Sequence, residues 1–387
     1  MNGLYKITFN LKTLFRYLNS YRSRSIVKKE SPVHVVFCTV DHYEPGVCGV
    51  DRQTEIERVD LLLNKYPKLV EGHFDSAGNI PKRTWFFPPH YHRYNALKRL
   101  VSLCERRYGE IELHLHHGKV RADTSENLEM TINQCIKEYS YFGIFGFENN
   151  KKKYGFIHGD WALDNSRNGK FCGVNNEINI LIKTGCYGDF TFPSLNEANP
   201  AQINSIYYAL DDPHKPKSYN FGNPVKKQGK HNEGLMIIQG PLHPFFTIKS
   251  VLGFRIYGCA INGFHPVTSN RIDSWVNTGI HVQGVPNIIF IKSHTHGAIY
   301  SQAVLGKEMN FIFEYLENNY NDGESYILHY VTAREMYNII TALKDGNPPE
   351  RIEEFRNYIV KPPQYDSSIN IAGASKELIS MVSRTYR

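Results

Sequence analysis

This chain of 387 residues has no stretch approaching the ~20 consecutive apolar residues that span a bilayer, so no transmembrane helix is expected. Met1–Asn10 offers no apolar core and no small-residue cleavage site, so no signal peptide is expected and the protein is read as cytoplasmic. There is no C-x-x-C among the seven cysteines (38, 48, 104, 135, 172, 186 and 259), and their odd number gives no disulfide framework. Several sit inside apolar runs and read as small buried hydrophobes in a reducing compartment. No Gly-rich phosphate loop follows any strand-like run, because FGIFGF around Gly143–Gly146 is not G-x-G-x-x-G. A nucleotide-binding sheet therefore loses support. Internal repeats and low-complexity segments are also absent. No charge of one sign dominates: 45 Lys+Arg face 38 Asp+Glu, and the excess of +7 is diffuse. Such a balance permits an anionic partner without demanding one, and no nucleic-acid partner is expected.

What the chain does contain is a repeated juxtaposition of apolar runs with proton-carrying or metal-ligating side chains. Seven short runs end in or lead to such residues. Val33–Val40 ends at Asp41-His42, and Glu110–Leu113 at His114-Leu115-His116-His117. Tyr154–Ile157 ends at His158-Gly159-Asp160-Trp161, and Ile178–Ile182 leads to Asp189. Leu235–Ile238 leads to His243, Asn287–Lys292 ends at Ser293-His294-Thr295-His296, and Tyr326–Leu328 ends at His329. Where parallel strands form a barrel, their C-terminal ends make one face, which holds the active site.

Helical periodicity separates the strands. It predicts helices over Thr54–Tyr66, Asn95–Arg107, Thr124–Tyr139, Lys307–Tyr320 and Ala333–Asp345, with a short one near Ser375–Ser383. Alternation of strands and helices implies parallel pairing by right-handed crossovers. The expected fold is α/β, a distorted (β/α)7–8 barrel with loop insertions. Its expected divisions are an N-terminal helical segment (1–30), the barrel (31–345) and a C-terminal extension (346–387). Leu4, Ile7, Leu11, Leu14, Phe15 and Leu18 recur at helical spacing beside Arg16, Arg22 and Arg24. That segment suits either peripheral contact with an anionic inner membrane face or packing on the bottom of the barrel. Asn199–Glu233 shows no periodicity and is expected to be a long excursion, with Tyr207 and Tyr208 offering ring faces to a sugar.

Three imidazoles within four residues, His114, His116 and His117, form the sharpest constellation. Residues two apart in an extended chain share a face, so His114 and His116 point together. Imidazole suits zinc and similar divalent ions, and two such ligands joined by a third leave a position for water. His294 and His296 repeat the spacing and can give a second metal pair or a general acid.

These residues also carry a resemblance. TVDHYEP (Thr39–Pro45), EIELHLHH (Glu110–His117), GDFTFPS (Gly188–Ser194) and IKSHTHG (Ile291–Gly297) resemble, in that order, the polysaccharide deacetylase-like (NodB-homology) superfamily of glycoside hydrolase/deacetylase β/α barrels. Together with YGFIHGDWALDNS, GVNNE, NSIYYA and LHYVTAREMYNI they look like a branch associated with surface-polysaccharide synthesis. The resemblance implies a metal-dependent carbohydrate deacetylase. It makes Asp41 the base and His42 a metal ligand, His114 the first ligand of the pair and His116 or His117 the second, and His294 or His296 the acid. His158, Asp160, Trp161, Asp189, Tyr207 and Tyr208 are then expected to face the substrate, a polysaccharide or lipid-linked glycan. One divalent metal, zinc first, is the expected cofactor. The chain departs from the family pattern in having His42 for the second Asp, a His spacing of two or three rather than four, and Asp160-Trp161 where R-x-P-Y would stand. Two other functions compete: a glycoside hydrolase pairing Asp41 with Asp160 or Asp189, and a non-catalytic glycan-binding protein of polysaccharide assembly.

Overall fold

The computed structural model describes residues 3–24, 32–89, 94–246 and 254–369. In chain order its elements are α1 (Gly3–Arg24), β1 (Val33–His42), α2 (Arg52–Leu69), β2 (Arg83–Phe87), α3 (Tyr94–Glu105), β3 (Gly109–Leu115), α4 (Ser125–Ser140), β4 (Gly146–Glu148) and β5 (Lys151–His158). Then follow α5 (Glu177–Thr184), β6 (Cys186–Asp189), β7 (Ile206–Ala209), β8 (Asn223–Pro224), β9 (Leu235–Ile238), β10 (His243–Phe246), β11 (Phe254–Tyr257), α6 (Ser269–Thr278), β12 (Ile288–Thr295), α7 (Ser301–Val304), α8 (Lys307–Asn319), β13 (Tyr326–Tyr330) and α9 (Ala333–Lys344). The helix expected near Ser375–Ser383 lies outside the described residues.

A mixed α/β architecture results, built on one large sheet. Its path runs β12–β1–β2–β3–β5–β6–β9, all parallel. Beyond β9 the sheet turns antiparallel through β7 and β8. β13 pairs in parallel with the first half of β1, and β4 pairs antiparallel with β5. β10 and β11 form a separate antiparallel pair.

Both faces of the central strands are buried, which is why those strands read as near-continuous apolar runs. Along β1, Val35 and Phe37 join a core that includes Leu62 and Tyr66 of α2, Leu100 of α3, Ile132 of α4, Leu181 of α5, Trp275 of α6 and Phe313 of α8. This is the helix face. The alternate residues Val36, Cys38 and Val40 join a second core with Phe86, Ile157, Phe290 and the α9 residues Met336, Ile339 and Ile340. This is the far face. At one end of it Arg334 of α9 forms a buried ion pair with Glu110 at the start of β3, Nη2 to Oε1 at 2.7 Å. α9 therefore fills the N-terminal end of the far face and leaves the C-terminal strand ends for a site. The segment following α9 is tied to the same body, with the Arg356 guanidinium hydrogen-bonded to Asp75, Glu335 and Glu353.

Three expectations are corrected. The run Ile178–Ile182 belongs to helix α5, which stops at Gly185 in the left-handed region (φ 102°), and the strand before Asp189 is Cys186–Asp189. The excursion 199–233 is not structureless, because β7 lies inside it and pairs with β9 from Ile206↔Ile238 to Ala209↔Leu235. Four residues are too few for a periodicity to show. α1 does not pack on the bottom of the sheet. Its Leu14 and Tyr17 rest on Ile203, Leu242 and Ile256, with Leu242 also lining the cleft described below. Leu11, Phe15, Leu18 and Tyr21 remain exposed along α1.

Candidate metal centre and cleft

Strand alternation decides which side chains meet. On the far face, β1 contributes His42, β3 His114, and β12 Lys292 and His294; just past the strand ends come Glu44, His116 and His296. The register supports this, pairing Val40 with His294 and His114 with Ile157. The rings gather closely: His42 lies 5.1 Å from His114 and 4.5 Å from His296, and His114 lies 4.7 Å from His116, centroid to centroid.

Within this group three acceptor atoms converge. The Nδ1–H of His114 donates to the Ile157 carbonyl, which leaves its Nε2 with a free lone pair. The Nδ1–H of His116 donates to Asp160 Oδ2 at 2.9 Å, turning its own Nε2 the same way. These two Nε2 atoms are 3.1 Å apart. Glu44 Oε1 lies 2.9 Å from that of His116 and 3.8 Å from that of His114. Two ring nitrogens and a carboxylate oxygen at such spacing require a proton or a cation among them, and the contacts with Asp160 and Glu44 raise the pKa of His116 against its burial. Two imidazoles and one carboxylate make a donor set that fits a divalent transition metal. His42 Nε2, fully buried and with no hydrogen-bond partner among the described residues, sits beside them. The carbonyl and Asp160 orient the two rings from behind, as partners of ligating histidines do.

Electrostatics follow from burial. Desolvation holds His114 down to about 3 and lowers His294 and His296 as well, so these rings are neutral at pH 7. Burial works to raise Glu44, but its contacts with His116 and His114 outweigh it and bring the carboxyl to about 2.

A cleft of about 210 Å³ opens against this group, walled by His294, His296, Trp161, Tyr300, Ser194 and Asn262. Its lining contains no carboxylate among the described residues. Trp161 leans toward the histidines, 6.0 Å from His296 and 6.2 Å from His42 between ring centroids.

Other expected site residues lie elsewhere. Asp41 faces the helix layer, since it precedes His42 in a strand. Its Oδ1 accepts the Gly297 N–H at 2.6 Å and its Oδ2 faces Arg83 Nη1 at 3.5 Å. Burial pushes its carboxyl up to about 6, and no part of it is exposed. It anchors the loop that carries His296 and does not line the cleft, so it is not placed to act there as the base. Asp160 serves His116, leaving Trp161 as the expected substrate residue that lines the cleft. Asp189 is buried and receives the Thr191 hydroxyl and N–H, so it shapes a turn. Tyr207 and Tyr208 are corrected from sugar platforms to core residues. Tyr207 packs on the helix face and donates its hydroxyl to the Tyr219 carbonyl, and Tyr208 packs on the far face. β-Strand pairing buries both sides of that segment. His117 and His158 also leave the group, since alternation sends both to the helix face, where their Nε2 atoms are 2.9 Å apart.

Glu44 was missed in the sequence. The available signal was its place two residues after His42, which keeps it on the same face if the chain stays extended past β1. Compared with known proteins, the chain matches no family model and no curated protein sequence.

Proposed function

We propose that this chain is a metal-dependent hydrolase that removes an acyl group from an N-acylated sugar of a polysaccharide or its precursor, acting on a C–N bond other than a peptide bond. The observation that carries this reading is the set of converging acceptor atoms on Glu44, His114 and His116, set behind a cleft walled by His294 and His296. One divalent ion, zinc by the nature of the donors, would be held there with His42 at hand as a further ligand. When bound, such an ion supplies Lewis acidity toward the acyl carbonyl and lowers the pKa of water.

The remaining work falls to the chain's own side chains. His296 is neutral and borders the cleft, so it accepts the proton of the attacking water and returns it to the departing amine. His294 borders the same wall and orients the amide. Asp41, through Gly297, fixes the backbone next to His296. Trp161 presents a ring to the sugar's C–H face. A cleft of about 210 Å³ takes one sugar unit and leaves the rest of a glycan outside. We read the sheet as a barrel open between β9 and β12, with Lys292 of β12 spanning the gap to the Phe190 and Phe192 carbonyls.

A glycoside hydrolase needs two carboxylates facing each other across the scissile bond. Asp41, Asp160 and Asp189 are engaged elsewhere, so that reading is disfavoured. The exposed stripe Leu11, Phe15, Leu18 and Tyr21 on α1 suits peripheral contact with the inner membrane face, where a lipid-linked glycan would be met. Among the described residues no helix is long and apolar enough to cross a membrane.

The test is incubation of the purified protein with N-acetylated oligosaccharides, following acetate and reducing ends separately. Acetate release that disappears in Glu44→Gln supports the proposal. Release of reducing ends without acetate, or binding with no turnover, refutes it in favour of a glycosidase or a glycan-binding protein.

A further inference from the structure

On the helix face, His117, His158, Cys172 and Glu177 bring four ligand atoms within 4.8 Å of one another, all on buried residues. His117 follows β3, His158 ends β5, Cys172 lies in the loop 162–176, and Glu177 opens α5. The spacing of these residues along the chain resembles no common ligand motif, and only the fold assembles them.

Their hydrogen bonds define the chemistry. The Nδ1–H of His117 donates to Asp123 Oδ2 at 2.9 Å, and that of His158 donates to the Gly159 carbonyl. Both Nε2 atoms are thereby turned toward one another and face each other at 2.9 Å, where a proton or a cation must stand between them. Glu177 Oε1 lies 3.2 Å from the first and 3.5 Å from the second. Cys172 Sγ lies 3.3 Å from Glu177 Oε2. Tetrahedral zinc bonds of about 2.0–2.3 Å separate ligand atoms by roughly 3.3–3.6 Å, and the three separations that involve Glu177 lie at 3.2, 3.5 and 3.3 Å.

We propose that His117, His158, Cys172 and Glu177 form a second, closed metal site, of the structural zinc type. Four protein ligands leave no position for water. A thiolate and a carboxylate together neutralise a divalent ion, so the buried group carries no net charge. Asp123 and the Gly159 carbonyl orient the two imidazoles from the second side.

The fold supplies a reason for such a site. Between β5 and α5, Asp160, Trp161, Asp164, Asn165, Asn168 and Phe171 all have positive φ. A segment with so many left-handed residues needs tethers to hold one conformation. The same stretch delivers Asp160 and Trp161 to the far-face cleft. Gly118 (φ 66°) permits the close approach, because a Cβ there would stand 2.0 Å from the Cys172 carbonyl oxygen. The closed site thus fastens a loop that shapes the open one, and it stands whether or not the open one is catalytic.

The experiment is metal analysis and zinc-edge X-ray absorption on the full-length protein. The expected result is about two zinc ions per chain with a zinc–sulfur distance of about 2.3 Å. Cys172→Ser should abolish the sulfur signal and remove about one equivalent, whereas His114→Ala should remove the other and keep the sulfur. If Cys172→Ser does not fold, the wild-type spectrum decides alone. Metal without a sulfur neighbour, or an unchanged spectrum in Cys172→Ser, overturns the closed site. Loss of nothing in His114→Ala with sulfur retained would instead count against the open site only.

Discussion

His116 and His117 are adjacent in the chain, yet they belong to different centres on opposite faces of the sheet. The far-face group of Glu44, His114 and His116 lies behind the cleft wall, whose histidines are His294 and His296. The helix-face group of His117, His158, Cys172 and Glu177 is sealed under the helices. Both rely on imidazoles oriented from behind by a carboxylate and a backbone carbonyl. Charge separates them. Two imidazoles and one carboxylate would leave a divalent ion with a net positive charge, which suits the proposed action on an acyl carbonyl. Adding a thiolate cancels that charge, which suits burial and disfavours chemistry. The two groups share imidazole ligands and differ in donor count and in their surroundings: one lies behind a cleft wall, the other beneath the helices.

The largest effect should come from the sealed centre. Glu177→Ala strips the carboxylate from buried imidazoles and from the Asp164 N–H that it accepts. A loss of about 4–5 kcal/mol in chemical denaturation is expected, the scale of breaking a buried charged network. A variant of wild-type stability that merely turned over slowly would reverse the roles of the two centres.

At the open centre the effect should move from stability to rate. His114→Ala is expected to keep its denaturation midpoint nearly unchanged and to lower acetate release at least 10²-fold, about 2.7 kcal/mol of barrier. Unfolding of this variant with no separate loss of rate would make the open group structural too.

Tyr207→Phe sharpens the contrast from outside both centres. It removes the hydroxyl donated to the Tyr219 carbonyl and should cost about 1–2 kcal/mol, with metal content and KM unchanged. A KM raised tenfold or more would return this ring to the substrate path.

The smallest effect concerns pH. Glu112 lies on the far face below His114, where burial pushes its carboxyl up to about 8 although the Tyr187 hydroxyl and Gly155 N–H oppose the shift. A folded pKa above the unfolded one means that this group's stabilisation is full below the ordinary carboxyl range and is lost as pH rises through about 8. Thermal melts of the wild type should therefore decline from pH 5 to 9 more steeply than those of Glu112→Gln. Parallel curves would show that Glu112 titrates at its ordinary pH.

Local signals carried the strands and helices well where they were long. The eight- to ten-residue strands β1 and β12 follow the runs that end at Asp41-His42 and His294, Thr124 caps α4 by accepting the Asn127 N–H, and Thr332 opens α9 with a capping box. They failed where an element was brief or its apolar run ambiguous, as at β7 and α5. An apolar pentapeptide such as Ile178–Ile182 has no period long enough to tell helix from strand. The site was legible in part. Spacing of two put His114 with His116, and by the same rule it separates Asp41 from His42 and His117 from His116.

By itself, then, the sequence determined that apolar runs end in imidazoles and that His114 and His116 share a face. These follow from short-range periodicity, which depends only on neighbours along the chain. The tertiary structure alone decided that Glu44 completes one group, that Cys172 and Glu177 join His117 and His158 in another, and that Tyr207 is core. Such meetings depend on which strands pair and which loops fold back, and no local pattern encodes contacts between residues tens of positions apart.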